Sequence, residues 1–460
     1  MLVSRSRILA ALVPLVLAVP LRAQEPAPQD TAGEFTKTEV RIPMRDGVLL
    51  HTTVYAPRDT TRPWPILMNR TPYSCAPYGP DASTYIRRRA SPYLREDGYI
   101  FVCQDVRGRW MSEGDYDNMR PHVRGATPID ESSDTYATVD WLVRNVPHNN
   151  GRVGIYGISY PGFYAAAALP EAHPALVAAS PQAPIADFYF DDFHHRGAYT
   201  LAYFLIQAVF GFQTEPTTED WYTIIDPGTS DGYAFYLGLG PLSNAAERYP
   251  QYAQDFFWNQ IVEHPNYDAF WQQRSILPHL AGVHTATMTV GGWFDAEDLY
   301  GPLNIYRTLE RENPGLANIL VMGPWGHGDW ARLDGTGVVG DLAFGDSLSV
   351  FYLRDVEAPF FRHHLHGVGP APDFEALVFD TGRKEWRRFD TWPPAGVEPF
   401  RLYMRDGEQL AVDPPATSER EFTEYVSDPN EPVPDSDRIR IVITPRAYMN
   451  EDQRFAERRP

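Results

Sequence analysis

The stretch RVGIYGISYPGFYAAAA (152–168) decides the fold. Residues 152–156 form a short apolar run of strand type, Gly157-Ile158-Ser159-Tyr160 reads as a sharp turn, and the small residues through Ala168 open a helix. A serine at the apex of a tight strand-to-helix turn is a nucleophile elbow, in which a strained backbone lifts the hydroxyl clear of a sheet. Gly157 is expected to be small because the neighbouring strand crowds the turn. The usual pattern, G-x-S-x-G, has its second glycine two residues after the serine, where this chain has Pro161 and then Gly162. Proline suits an early helical position, since its missing N–H costs nothing there. The donor to a developing oxyanion would be the Tyr160 N–H, so Pro161 removes nothing the chemistry needs.

Outward from the elbow, short apolar runs alternate with helical segments: 65–69, 99–106, a helix over 133–145, the elbow strand and helix, then 176–179. Such alternation implies a mostly parallel sheet covered on both faces. Ahead of it, EVRIPMRDGVLLHTTVYAP (39–57) places two alternating runs around Arg45-Asp46-Gly47, a hairpin signal. From about Asp187 to His279 the rhythm is lost and aromatics gather, which reads as a helical cap over 187–280 inserted between two parts of the sheet domain, 35–186 and 281–369. The cap aromatics are expected either to wall a pocket or to form plain core. The rhythm returns with runs at 285–290 and 319–322 around a helix over 299–311. Past Pro370, FEALVFD, FRLYMRDGEQL and FTEYVSD read as short strands of an all-β domain over 370–460.

With 460 residues, 43% hydrophobic and 13% aromatic, the chain can bury a large core. Its formal charge is −20, and no Lys/Arg stripe follows a phosphate backbone, which argues against nucleic acid as a partner. The acidity either favours a cationic substrate or keeps an exported surface soluble. Arg5 and Arg7, the apolar run 8–19 and Ala23 read as a secretory signal over 1–23, so the protein is expected to be exported, periplasmic or secreted, with no membrane attachment once the signal is removed. Of the two cysteines, Cys103 sits in the apolar run YIFVC and reads as a buried small hydrophobe in preference to a bridge with Cys75.

A serine hydroxyl needs a base to take its proton and a carboxylate to orient that base. Downstream, the run 287–290 ends in Gly291-Gly292-Trp293-Phe294-Asp295, and 319–322 ends in Gly323-Pro324-Trp325-Gly326-His327-Gly328. Both candidates lie just past the C-terminal end of a strand, the edge at which open α/β sheets place their sites, and in the order Ser, Asp, His.

Taken together, GISYPG (157–162), GGWFDAEDLYG (291–301) and MGPWGHGDW (322–330) resemble the motifs of the cocaine-esterase-like and X-Pro dipeptidyl-peptidase group of serine hydrolases, most closely those of the α-amino acid ester hydrolases. The similarity runs from about Phe35 to the end of the chain and includes QDVRGRWMSEG (104–114). The resemblance implies an α/β-hydrolase domain with a cap and a C-terminal β jelly roll. A jelly roll has eight strands, and AYMNEDQRFAERRP (447–460) is similar to an internal part of one, so this domain reads as truncated. The resemblance also implies a triad of Ser159, Asp295 and His327, and an oxyanion hole from the Tyr160 N–H and the hydroxyl of Tyr73 in Arg70-Thr71-Pro72-Tyr73. A carboxylate cluster of Glu297, Asp298 and one of Asp191 and Asp192 would receive a substrate α-ammonium group.

Clustered carboxylates need a cation to compensate them. The alternative for Glu297 and Asp298 is that they cap the helix starting near Leu299. The expected partner is a small-molecule ester or amide, no cofactor is implied, and homo-oligomerisation is open. Two other classes would use some of the same residues. Asp191, Asp192, His194, His195, Glu297 and Asp298 could ligate a divalent metal, but without H-E-x-x-H spacing and with the elbow left idle. A non-catalytic binding protein would leave three matched loops on one sheet edge without a purpose.

Overall fold

The computed structural model describes residues 34–441 apart from 80–85, 87–89, 126–128, 212–216, 334–335, 341, 406–408, 417–423, 425 and 435–437. The expected signal, 1–23, the segment 447–460 and residues 422, 423 and 425 of FTEYVSD lie outside the described residues.

Ten strands make one sheet: β1 (Phe35–Pro43), β2 (Leu49–Pro57), β3 (Trp64–Thr71), β4 (Ile100–Asp105), β5 (Asn149–Ile158), β6 (Leu176–Gln182), β7 (Ala286–Gly292), β8 (Asn318–Gly323), β9 (Ala376–Asp380) and β10 (Glu385–Phe389). Their spatial order is β1-β2-β4-β3-β5-β6-β7-β8-β9-β10. From β4 to β9 every neighbour is parallel, while β1, β2 and β10 are antiparallel additions at the two edges. The residues follow this placement. Interior strands β4 (IFVCQD) and β8 (NILVMG) are buried at every position, as a parallel strand covered on both faces must be. Edge strand β1 mixes buried and exposed positions.

Helix α1 (Glu131–Asn145) starts at a capping box in which Asp130 accepts from the Ser133 N–H and Ser133 reaches back to Asp130. Helix α2 (Tyr160–Ala167) follows the elbow, and α3 (Tyr300–Glu312) packs on β7 and β8.

Between β6 and β7 the chain forms short helices and turns. Phe188, Phe193, Phe210 and Phe257 meet there with ring centroids 4.7–6.2 Å apart, all buried. These four rings join the main core, with Phe188 5.5 Å and Phe210 6.3 Å from the Tyr160 ring, while Phe204, Leu205, Ile225, Leu239, Tyr252 and Trp258 form a separate core within the inserted segment.

Two expectations are corrected. FEALVFD does not open a separate β domain at 370: its strand β9 pairs parallel with β8, Leu320 opposite Ala376, and β10 closes that edge. The unbroken run ALVF is buried, as befits a strand within a parallel sheet, so the sheet domain extends to Phe389. Past it, FRLYMRDGEQL forms one short hairpin (Tyr403–Arg405 with Gln409–Ala411), and the described residues make no jelly roll.

Contrary to the expectation of an unbridged thiol, Cys103 is bridged to Cys75 with a Cα–Cα distance of 5.8 Å. Cys103 is indeed a buried interior position of β4. The loop after β3 folds back over the end of that strand and brings Cys75 to it. The same loop is held by Asp105, which accepts from the Cys75 N–H (2.8 Å) and the Tyr78 hydroxyl (2.8 Å). Burial pushes the Asp105 carboxyl up to about 7.

Candidate active site

Ser159 occupies the turn between β5 and α2 with φ 70° and ψ −130°, a region that costs a non-glycine residue about 1–3 kcal/mol. The surrounding bonds over-determine it. The Ser159 N–H donates to Gln182 O on β6 (2.9 Å), and the Ser159 carbonyl accepts the first helical bond from the Phe163 N–H (3.0 Å).

The glycines divide their work differently from the expectation. A Cβ on Gly157 would stand 2.5 Å from Pro161 of the same turn, whereas a Cβ on Gly162 would stand 2.4 Å from Gln182 O. The neighbouring strand therefore crowds Gly162, and Gly162 does the packing of the motif's second glycine. The Tyr160 N–H belongs to the first turn of α2, whose amides have no intrahelical acceptor. The Tyr160 ring is buried, and its hydroxyl donates to Asn118 Oδ1 (2.9 Å) and accepts from the Met119 N–H (2.9 Å).

Tyr73 stands edge-on to the Tyr160 ring, centroids 6.4 Å apart, in the loop that the Cys75 bridge pins. Burial, then the nearby charges of Asp192 and Glu297, push its phenol well above its ordinary value. Tyr73 thus keeps its proton and can donate it in a hydrogen bond.

Asp295 and His327 meet in the loops past β7 and β8. His327 Nδ1 is 2.9 Å from Asp295 Oδ2 and 3.1 Å from Oδ1, with both side chains buried. Asp295 Oδ1 also accepts from the Glu297 N–H (2.9 Å) and the Asp298 N–H (3.0 Å). Burial works against the charge on Asp295, but His327 and these amides hold its carboxyl below the usual range. Gly328, at φ 74°, lies over the elbow: a Cβ there would be 3.5 Å from Ile158 Cγ2, on the residue before Ser159.

The four other carboxylates are all buried beside this pair. Asp191 Oδ1 accepts from the Gly301 N–H (2.7 Å), and Oδ2 from the N–H groups of Ala186 (2.8 Å) and Asp187 (3.2 Å). Asp192 receives the Tyr203 hydroxyl, which is also 3.4 Å from Glu297 Oε2. Glu297 Oε2 is 3.7 Å from His327 Nε2, and Asp298 Oδ2 is 3.8 Å from His327 Nδ1. Among the described residues neither oxygen of Asp298 has a hydrogen-bond partner.

Burial, its bond from Tyr203 and the charge of Glu297 leave Asp192 at about 8. Burial and then Asp192 push Asp298 well above the carboxylate range. Helix α3 has Leu299 at its N-cap position and no side-chain cap, so Glu297 and Asp298 do not cap it; Asp191, from the other segment, receives its early N–H.

His194 stacks on Tyr189 (4.2 Å), and burial lowers it to about 4; His195 Nε2 lies 3.2 Å from Asp191 O. No group of three His, Cys, Asp or Glu among the described residues is arranged to hold a metal ion. Sequence reasoning missed Tyr203, one of 26 tyrosines, which only the fold brings to the carboxylates. A cavity of about 820 Å³ opens beside Ala296, the residue between Asp295 and Glu297, walled by Tyr199, Tyr233, Tyr236 and Leu237 of the cap and by Pro432.

Residues 46–329 match the model of the X-Pro dipeptidyl-peptidase (S15) family, well over half of the chain. The chain belongs to that family. The S15 chain is 28% identical to the cocaine esterase of Rhodococcus sp. (strain MB1 Bresler), over 86% of its own length and 68% of the esterase. Among solved structures, it is similar to an α-amino acid ester hydrolase at 33% identity and a TM-score of 0.82, covering 98% of this chain and 74% of that one. An aminopeptidase from a marine sediment Thaumarchaeota archaeon gives 32% identity and a TM-score of 0.81, covering 96% and 73%. This S15 chain is thus a hydrolase of the group that holds these enzymes, built on the α/β-hydrolase sheet.

Proposed function

We propose that the protein is a serine hydrolase that cleaves esters or amides of α-amino acyl groups through an acyl-enzyme. Ser159 attacks the carbonyl as His327 takes its proton, with Asp295 fixing the imidazole so that Nδ1–H points at the carboxylate. The tetrahedral oxyanion accepts from the Tyr160 N–H and the Tyr73 hydroxyl. His327 then gives its proton to the leaving group, and water activated by the same imidazole releases the acid. None of these steps requires a cofactor. An amine in place of water would give acyl transfer through the same intermediate.

The observation that carries the substrate class is the buried carboxylate group around His327. Glu297 and Asp298 crowd one imidazole, Asp192 is joined to Glu297 through the Tyr203 hydroxyl, and Asp298 has no hydrogen bond among the described residues. Asp192 and Asp298, both pushed up by burial and by neighbouring carboxylates, resist ionising until a cation enters. An α-ammonium, with three donors on a small charge, fits that need, and it is shared by amino acid esters and by peptides with a free N-terminus. The names of the α-amino acid ester hydrolase and the aminopeptidase among the similar structures agree with this reading. A general carboxylesterase is the alternative, and segment 1–23 is proposed to direct export.

The test is active-site labelling. A fluorophosphonate should modify Ser159 alone, and Ser159→Ala should abolish both labelling and ester hydrolysis. Full hydrolysis by Ser159→Ala would sink the proposal.

A further inference from the structure

Gln182, the last residue of β6, joins the Ser159 elbow to the loop that carries His327. Its backbone carbonyl accepts from the Ser159 N–H (2.9 Å). Its side-chain Oε1 accepts from the Trp330 indole N–H (2.8 Å), three residues past His327 in the same loop. Its Nε2 donates to Glu357 Oε1 (3.0 Å) and lies 3.2 Å from Ser180 Oγ. Gln182, Trp330 and Glu357 are all buried.

The chain of contacts continues from Trp330. Its ring packs on Trp325 (5.7 Å), and Trp325 O accepts from the Phe294 N–H (3.0 Å), next to Asp295. A Cβ on Gly292 would stand 2.2 Å from that same Trp325 carbonyl, so the Asp loop and the His loop have no slack between them.

We propose that Gln182 is a positioning residue that sets the distance between Ser159 and His327 through the Trp330 hydrogen bond. The inference rests on the reading of Ser159 and His327 as nucleophile and base. The main chain of Gln182 fixes the strained elbow, and its amide oxygen fixes the loop that carries the base. Proton transfer between the two falls steeply with small displacements. The residue itself touches neither substrate nor the reacting atoms. A purely structural part would show as lost stability, whereas a positioning part shows in the chemical step.

The experiment is a double-mutant cycle on the full chain with Trp330→Phe, which removes the indole donor and part of the ring, and Gln182→Met, which keeps the backbone carbonyl and removes the side-chain acceptor and the donor to Glu357; the melting temperature separates lost packing from lost positioning. Each is read by kcat, KM, the rate of fluorophosphonate labelling of Ser159, and melting temperature. Each single variant should lose about tenfold in kcat and in labelling rate, the worth of one internal hydrogen bond, with KM within about twofold of wild type. The double variant should lose no more than Gln182→Met alone, because that variant already removes the bond to Trp330 along with the one to Glu357. Wild-type kcat and labelling rates in Trp330→Phe, or losses that multiply in the double variant, would overturn the inference while the serine-hydrolase reading stands. Failure of the wild type to label at all would instead overturn that reading, and this inference with it.

Discussion

Asp191 and Asp192 are consecutive, both buried, and used in opposite ways. Asp191 spends both oxygens on backbone N–H groups of residues 186, 187 and 301, tying the segment after β6 to the start of α3. Asp192 turns instead to Tyr203 and the charge of Glu297, and its Oδ2 has no hydrogen bond among the described residues. Adjacent positions in one tight turn point apart, so only one of the pair can serve a ligand beside His327.

Asp191→Ala should therefore cost stability. Three buried amide donors lose their acceptor, which predicts a loss of about 3 kcal/mol or more, measurable by denaturant unfolding. Asp192→Asn should leave the unfolding midpoint at pH 5 or below near that of wild type and raise KM for α-amino esters about tenfold or more, the scale of one charge-assisted hydrogen bond. The opposite assignment of effects would show that the two roles are exchanged.

The position of Asp192 at about 8 gives a pH dependence. The unfolded carboxyl loses its proton near 4, while the folded one keeps it to about 8, so this group's contribution to stability is full below pH 4 and declines as pH rises to 8. Removing the carboxyl removes that decline. The fall in melting temperature from pH 5 to 8 should be shallower in Asp192→Asn than in wild type; parallel curves would contradict it.

Much of the site was legible because its signals are local. The elbow, the Gly-rich loops of Asp295 and His327, and their order are each written in a few consecutive residues. What sequence left open depends on chain segments that meet only in three dimensions. Tyr203 reaches the carboxylates from the cap, Cys75 reaches Cys103 across a loop, and β9 chooses β8 as its partner, although ALVF by itself says only that a strand is buried. Sequence requires Gly157 to be small, but that β6 crowds Gly162 instead depends on the actual path of the turn.

Asp295→Asn should preserve the shape of the loop and place the wrong group against His327 Nδ1. Loss of the tautomer that leaves Nε2 free to act as base predicts a fall in kcat of about four orders of magnitude, with little change in melting temperature. A fall below tenfold would mean that Asp295 is not the orienting carboxylate.

Tyr73→Phe removes a single phenolic hydrogen-bond donor that stays protonated throughout the working pH range. If it serves the oxyanion, kcat should fall about 100-fold with KM nearly unchanged. A rise in KM alone would assign Tyr73 to ground-state binding.

The Cys75–Cys103 bridge spans 28 positions and anchors the loop that carries Tyr73. Cross-linking a loop of that length is worth about 3–4 kcal/mol, so reduction should lower the denaturation midpoint and reduce kcat by loosening the oxyanion donor. Unchanged kcat on reduction would show that Asp105 alone fixes the loop.

The central claim is that a buried carboxylate group beside the triad reads an α-ammonium. It is tested most directly by kcat/KM for an α-amino acid ester and its des-amino analogue, matched in acyl chain and alcohol, at a pH where the amine is charged. The account predicts that the amino ester is favoured at least 100-fold in the wild type, and that Glu297→Ala erases most of that preference while still hydrolysing the des-amino ester. Equal kcat/KM for the two esters in the wild type would contradict it.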